Sequence, residues 1–401
     1  MKTVCGVDGG LYAFTRMLSV VVSLGFLVGT ACTDPAEPSD SGAPPADSGS
    51  PPSDSDAVDS GPHGHTGQSD THSGDTSQGD TAQDTDALAD SVVAFAEATA
   101  AFHATLSKEE TERITSDMSD PARKAWSNLP AAFAPRDGMP LLEMTKTQQE
   151  LAEAMYQAGF SETGWSRVLE VRESEGYNAS LGDPYSNADE YFVTTFGSPL
   201  EDSDWAVQLD GHHVVANFTV SGNRFDFVPV FWGVTPTAFE LDGVEKQPLA
   251  AHANAALALI QSLEDRHDEV IVSPEDLSGL ISGAGADEAF PEERAGVLAS
   301  TLTTDQQAAL MTLISAYLND LHPAQAAVRT EEVVNGLDET YVAWYGPVEE
   351  GEQWDFRVHG PTIWIEFDHV SSTHIHAMLR DPTNDYGKNW LKDHRAEHPH
   401  P

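Results

Sequence analysis

The chain has 401 residues and a formal net charge of −45, from 65 acidic against 20 basic side chains. That length can bury a substantial core in one or two domains, and that charge sets the chain against nucleic acid and anionic lipid, so neither is an expected partner. Its two cysteines, Cys5 and Cys32, lie near the start. The rest of the chain therefore has no disulfide or thiolate metal site, and any metal there must use His, Asp, Glu or carbonyl groups.

Lys2 and Arg16 precede a short apolar run over residues 17–28, followed by Gly29, Thr30 and Ala31 and then Cys32. This is the layout of a secretory signal over residues 1–31, too short in its apolar part for a membrane span. A cysteine directly after small residues resembles the lipidation site of a bacterial lipoprotein, although Gly29 stands where leucine is usual. The expectation is an exported protein held at the outer membrane or cell surface by a lipid on Cys32, with a periplasmic or secreted protein as the alternative. Any membrane contact would run through that anchor alone. Residues 32–86 are rich in Asp, Ser, Gly, Pro and Thr. They lack the apolar area to offset chain entropy and read as a disordered acidic tether, with His63, His65 and His72 as solvated linker histidines.

Residues 87–396 read as a single α+β domain. Apolar residues at helical spacing (Val92, Phe95, Ala96, Phe102, Leu106) predict a helix, and Ser107 with Glu110 forms a capping box that starts a second. Helices follow over 145–156 and 161–173, the latter capped by Ser161. The period then changes to two, giving strands over 191–197, 204–209, 212–220 and 225–232. Turn signals stand at Asp210-Gly211 and Gly222-Asn223, and Pro229 marks an edge or bulge. Helices are expected over 249–263, 304–318 and 323–335, with a Gly-rich irregular stretch at 274–289. A second strand set covers 340–345, 353–358, 362–367 and 373–379, and a short helix covers 388–395. The expectation is one mainly antiparallel sheet made from both strand sets and packed with helices, with two subdomains as the alternative.

The candidate chemistry lies in histidines at strand starts. In a strand over 212–220, His212 shares a face with Val214, Ala216, Phe218 and Val220, which reads as core. His213 shares the more polar face of Val215, Asn217 and Thr219 and is the better site candidate. His374 and His376 alternate on a strand, so both can reach one metal ion with a third ligand from elsewhere; a solvent-facing pair on an edge strand is the plain structural alternative. Arg380 can clamp an anion or pair structurally with Asp381 or Asp385. Asp385 can brace its turn, cap the following helix or support a ligating histidine. Glu366 is the carboxylate placed to act as an internal acid or base, and His394 can fold back from the last helix. Phe231-Trp232-Gly233 reads as core packing or as pocket lining. There is no Gly-x-Ser-x-Gly elbow, His-Glu-x-x-His pair, phosphate loop or dinucleotide fingerprint, so no nucleotide cofactor is expected.

At these motifs the chain resembles a bacterial family catalogued as domain of unknown function 3500. The pieces that carry the likeness are WAVQLDGHHVVANFTV (205–220), FWGVTP (231–236), GPTIWIEFD (360–368) and HIHAMLRDPTNDYGKNWLKDH (374–394). They fall in the family's order, and helical pieces at 148–169 and 304–317 fit in position. Coverage is about residues 91–394. The resemblance implies an exported bacterial protein and supplies no activity. An acidic residue expected near His252 is missing, so His252 inherits no role.

The functional reading is a single divalent-metal site with His213, His374 and His376 as ligands and Asp385, Glu366 or His394 behind them. Imidazole suits zinc, copper and iron alike. Hydrolytic or oxidative chemistry would use a water or dioxygen on the metal, acting on a small molecule. The competing reading is a non-enzymatic surface binding protein for a metal or a small anionic ligand, gripped by the same histidines and Arg380.

Overall fold

A computed structural model describes residues 77–273, 279–349 and 351–397, with side chains from residue 86. The expected leader, Cys32 and the tether up to residue 76 lie outside the described residues. Helices α1 (Ser77–His103) and α2 (Lys108–Ile114) lead to short strands β1 (Thr115–Ser116) and β2 (Met139–Pro140), then α3 (Lys146–Gly159) and α4 (Glu162–Ser180). The first strand set is β3 (Tyr191–Phe196), β4 (Asp204–Gly211), β5 (Val214–Ser221), β6 (Arg224–Asp226) and β7 (Val230–Val234). A separate hairpin of β8 (Phe239–Leu241) and β9 (Val244–Lys246) precedes α5 (Ala250–Ser262), α6 (His267–Val270) and β10 (Ile271–Val272). Then come β11 (Val297–Leu298), α7 (Thr304–Leu318) and α8 (Pro323–Asn335). The second set is β12 (Tyr341–Tyr345), β13 (Asp355–His359), β14 (Trp364–Ser371) and β15 (His374–Arg380), followed by α9 (Lys388–Glu397). No helix among the described residues is long and apolar enough to cross a membrane.

Local sequence sets the helix starts. Ser107 with Glu110, Thr145 with Gln148 and Thr303 with Gln306 each form a reciprocal capping box before α2, α3 and α7, which satisfies N–H groups that a helix start leaves orphaned. Two boundaries differ from expectation. Helix α1 begins at Ser77, inside the stretch read as tether, and α4 runs through Glu175 and Gly176 to Ser180 rather than stopping at residue 173. Pro229 divides the expected strand over 225–232 into β6 and β7, since proline has no N–H for a ladder.

Both strand sets join one sheet, in the order β1-β3-β4-β5-β7-β15-β14-β13-β12-β10. The join is the antiparallel β7–β15 pair, with His376 opposite Gly233 and Ala377 opposite Trp232. Pairing is antiparallel throughout except at the two margins, where β1 lies parallel to β3 and β10 to β12.

One face carries the main core. Val214, Ala216, Phe218, Trp232, Ile365, Phe367, Ala377 and Leu379 pack against Phe95, Phe102, Met155, Val171, Leu259 and Leu313 from the helices. On the opposite face Val215, Phe231 and Met378 form a smaller apolar cluster with Trp126 and Tyr386. That second face is covered by loops. Arg123 donates to Thr219 Oγ1 and Tyr386 O, and Trp126 Nε1 donates to the Tyr386 hydroxyl at 2.8 Å. Ser282 reaches Glu366 from the 279–296 loop. The candidate histidines lie at one end of this second face.

Candidate metal centre

The β4–β5 hairpin turns two residues later than its Asp-Gly signal indicates. Strand β4 continues through Gly211, and His212 and His213 are the two turn residues, with His213 at φ 70°. Two contacts explain the shift. Asp210 is held by Arg136 Nε at 2.7 Å, and Gly211 lies flat against the Tyr191 ring, where a Cβ would stand 2.3 Å from Cδ1. Both residues are thereby committed to the ladder. The turn is tied down by Gly233 N donating to His213 O (2.7 Å) and by the Tyr191 hydroxyl donating to His212 O (2.7 Å). The strand parity expected for His212 and His213 therefore does not apply.

His374 and His376 alternate on β15 and share a face with Met378 and Arg380, as period two requires. His376 faces Gly233 across the ladder, and the His213 ring lies over that glycine. The absence of a side chain at residue 233 is what admits the ring. His213 Nε2 then stands 3.0 Å from His374 Nε2. Ring centroids are 5.0 Å apart for His213 and His374, 5.8 Å for His213 and His376, and 4.5 Å for His374 and His376. One nitrogen from each of the three rings falls within 4.8 Å of the others.

Behind His213 stands a residue that strand patterns could not reveal. Glu175, fully buried on α4, bonds His213 Nδ1 through Oε1 (2.8 Å) and His212 Nδ1 through Oε2 (2.9 Å). The two imidazoles stack at 3.7 Å on that carboxylate. An ionised carboxylate only accepts, so both Nδ1 atoms carry the proton and the His213 Nε2 lone pair is turned toward His374. Glu175, His212 and His213 also form a second group with metal-ligand spacing.

Burial alone would raise the Glu175 carboxyl, but the bonds from His212 and His213 override it and hold the group down to about 2. The rings shift toward neutrality. Burial, then the neighbouring His213 and His212, lowers His374 to about 4. Burial, then His213 and His374, lowers His376 to about 2. His213 is also lowered by burial, against the pull of Glu175. At neutral pH the site thus holds one buried anion and neutral imidazole donors. Among the described residues no lysine or arginine pairs with Glu175; its partners are the two imidazoles, through hydrogen bonds. Three imidazoles around one point could hold a metal ion: bonds of about 2.0–2.1 Å in a tetrahedron put ligand nitrogens roughly 3.3 Å apart, near the 3.0 Å between His213 and His374, while the set as a whole lies within 4.8 Å.

The other candidates take structural places. Glu366 lies on the same face as His376, one step along the ladder, but its oxygens accept from Ile281 N (2.8 Å) and Ser282 N (2.9 Å) and pair with Arg357 at 3.3 Å. It fastens the 279–283 loop instead of standing ready as an acid or base. Arg380, wholly buried, donates to Ser282 O, Gly283 O, Asp287 and Asp385. That commitment leaves it braced within the fold and not placed to clamp an anion. Asp385 accepts from Arg380 and from Asp381 N, the turn-bracing arrangement. Asp381 accepts from Thr383 and Asn384 and pairs with Arg329 at 2.8 Å. His394 turns away from the site and bonds Asp204 at the start of β4 (2.9 Å). His252 is buried against Tyr317, at a ring distance of 4.1 Å, in the helical layer.

Fold and site together define an α+β sheet domain whose histidine cluster could hold a metal ion. The family model described as "Protein of unknown function (DUF3500)" matches residues 89–388, and the chain belongs to that family. Neither a curated protein nor a solved structure matches the chain.

Proposed function

We propose that this domain binds one divalent metal ion through His213, His374 and His376, and that it is a metal-dependent enzyme of hydrolytic or oxidative type. The observation that carries the reading is the pair of facing Nε2 atoms at 3.0 Å, one of them oriented by a buried carboxylate. A carboxylate accepting from the far nitrogen of a histidine fixes its tautomer and raises its basicity, the usual support of a metal-ligating imidazole. A divalent ion would also balance the buried Glu175 charge, which otherwise costs several kcal/mol (on the order of) to hold away from water. The ion would supply Lewis acidity; the chain's own contribution is to hold three neutral donors in place and to keep solvent from the Glu175 side. Committed internally, Arg380 lends no support to an anion grip. The leader over residues 1–31, followed directly by Cys32, supports an exported, lipid-anchored protein; incorporation of labelled fatty acid into the native chain and not into Cys32→Ala tests it.

The deciding experiment is metal analysis of protein purified without an affinity tag. Near-stoichiometric zinc, copper or iron is expected. It should be absent from the His374→Ala/His376→Ala variant while circular dichroism stays native. A metal-free native chain that also fails to take up added zinc, copper or iron would overturn the reading, because a proton shared between His213 and His374 would then account for the contact.

A further inference from the structure

His212 has no part in the three-nitrogen set of His213, His374 and His376, yet it is held as firmly as a ligand. Its Nδ1 is 2.9 Å from Glu175 Oε2, and its carbonyl accepts from the Tyr191 hydroxyl at 2.7 Å. Its ring stacks on His213, with centroids 3.7 Å and planes 27° apart. The His212 side chain is 17% exposed and that of His213 1%. Of the two stacked rings, His212 is the one that solvent reaches.

The shared carboxylate sets the direction of both rings. The two residues are adjacent, so both Cβ–Cγ bonds leave the same turn, and both Nδ1 atoms end on Glu175. Stacked five-membered rings fixed at those two points present their remaining nitrogens to the same side. His212 Nε2 therefore lies beside His213 Nε2, separated by about the 3.7 Å of the stack. Each Nδ1 carries the proton that Glu175 accepts, so His212 Nε2 accepts hydrogen bonds and cannot donate them. Its lone pair runs alongside that of His213 and does not converge on the same ion. The ion lies about 2.0–2.1 Å beyond His213 Nε2, and a tetrahedral position on the His212 side lies roughly 2 Å to the side of the ion. An atom there comes within roughly 3 Å of His212 Nε2, a hydrogen-bond distance. His212 covers one face of the His213 ring, so His374 and His376, at centroid distances of 5.0 and 5.8 Å, approach from other directions. The position left to a fourth ligand then falls on the His212 side.

We propose that His212 Nε2 flanks the open position of the ion and selects what binds there, favouring a ligand that carries a hydrogen on or next to its metal-seeking atom. This assignment rests on the metal reading above. A water, or an anion bearing a hydroxyl group, meets the acceptor with a hydrogen bond. Dioxygen, or an anion without such a hydrogen, turns a lone pair toward it and leaves both unpaired. The centre therefore takes water in preference to dioxygen, which favours the hydrolytic of the two reaction types.

The probes are bicarbonate and acetate, anions of like shape and charge in which one has an O–H where the other has a methyl group. Each is titrated calorimetrically, at one pH, into the zinc-loaded native chain and the His212→Phe variant, which keeps a stacking ring and has no acceptor. The ratio of the two affinities is the readout, since looser packing weakens both anions alike. The native chain is expected to favour bicarbonate about tenfold more than the variant does. The same ratio in both chains, with zinc bound to both, would overturn the role of His212 and leave the metal reading standing. Nitrogen NMR of the zinc-loaded native chain labelled in histidine decides the matter even where the variant fails to fold or to hold zinc. Bicarbonate is expected to shift the His212 Nε2 resonance and acetate to leave it in place; a resonance that bicarbonate does not move, or that both anions move alike, would overturn the role. A native chain that takes up no zinc sinks the metal reading, and the role of His212 falls with it.

Discussion

Gly233→Ala tests the geometry of the centre without removing any donor. Gly233 has an ordinary strand conformation, so alanine adds no backbone strain there. The new Cβ would stand 2.6 Å from His213 Cδ2 and 3.0 Å from Cγ, where ordinary contacts begin near 3.4 Å. The ring must retreat by about 1 Å to reach normal carbon–carbon separation. It cannot tilt freely, because it is 1% exposed and its Nδ1 is held by Glu175 at 2.8 Å. Overpacking of this kind costs about 1–3 kcal/mol. Metal–ligand distances tolerate only about 0.2 Å. Charged to the metal-bound state, that strain weakens zinc binding by roughly ten- to a hundredfold. The assay is zinc titration against a competing chelator, paired with urea unfolding of the metal-free chain. Gly176→Ala serves as the control. It lies next to Glu175 on α4, where a Cβ meets Ala188 at an unstrained 3.5 Å; it should gain about 0.5–1 kcal/mol and keep full zinc affinity. Native zinc affinity in Gly233→Ala would refute the placement of His213 as a ligand.

Glu175→Gln keeps the shape but can accept only one of the two Nδ1–H bonds and must donate the other. It is expected to cost about 10–100-fold in metal affinity by the same chelator competition, and unchanged affinity would remove Glu175 from the centre. Arg329 is buried between Asp226 (2.7 Å) and Asp381 (2.8 Å), with Glu332 also in contact. Arg329→Ala leaves the buried Asp381 carboxylate and the Asp226 carboxyl without their shared partner and should lose about 3–5 kcal/mol in urea unfolding; a loss under about 1 kcal/mol would contradict the buried network. Burial pushes the Asp226 carboxyl up to about 7 despite Arg329. The folded chain then retains a proton that the unfolded chain releases near 3.8, so this group's contribution to stability falls as pH rises from about 4 to about 7. Asp226→Asn should flatten that part of the profile, and a parallel profile in the variant would assign the slope elsewhere.

Much of this architecture is legible from patterning. Three capping boxes announce α2, α3 and α7, and strict alternation in His374-Ile375-His376 puts both rings on one face. What the pattern hides is everything set by contacts distant in sequence. Asp210-Gly211 has the local chemistry of a hairpin turn, but Arg136 and the Tyr191 ring hold both residues in β4. The turn thus falls on His213, which takes a positive φ without being Gly or Asn. The expected helix ends at residue 173, yet α4 continues to Ser180, and so Glu175, the carboxylate behind the site, lies beyond the expected helix end. Gly233 reads as a gap in an apolar run until the His213 ring is seen lying over it. Arg380 can be read as an anion clamp or as the structural partner of Asp385; its bond to Asp385 and its partners from the 279–296 loop, which the sequence does not reveal, decide for the second.

The physical cost of the centre argues that it is more than a brace. A sheet end is held together cheaply by β-branched or aromatic pairs. This one instead buries a carboxylate with no lysine or arginine among its described partners, and groups beside it His213, His374 and His376, which burial above all shifts toward the neutral form. A hydrogen bond from His374 to His213 would satisfy two nitrogens but leave the Glu175 charge unbalanced, and a buried polar group must gain something to be kept there. A cation on the Nε2 side supplies what is missing, because it draws on the lone pairs and offsets the anion through the same imidazole. On this argument the metal-free chain should be the less stable form. Zinc at about a hundred times its dissociation constant should add roughly 2.7 kcal/mol to unfolding, and none of that gain should survive in His374→Ala/His376→Ala. Equal stabilisation of both chains by zinc would mean that the ion binds elsewhere.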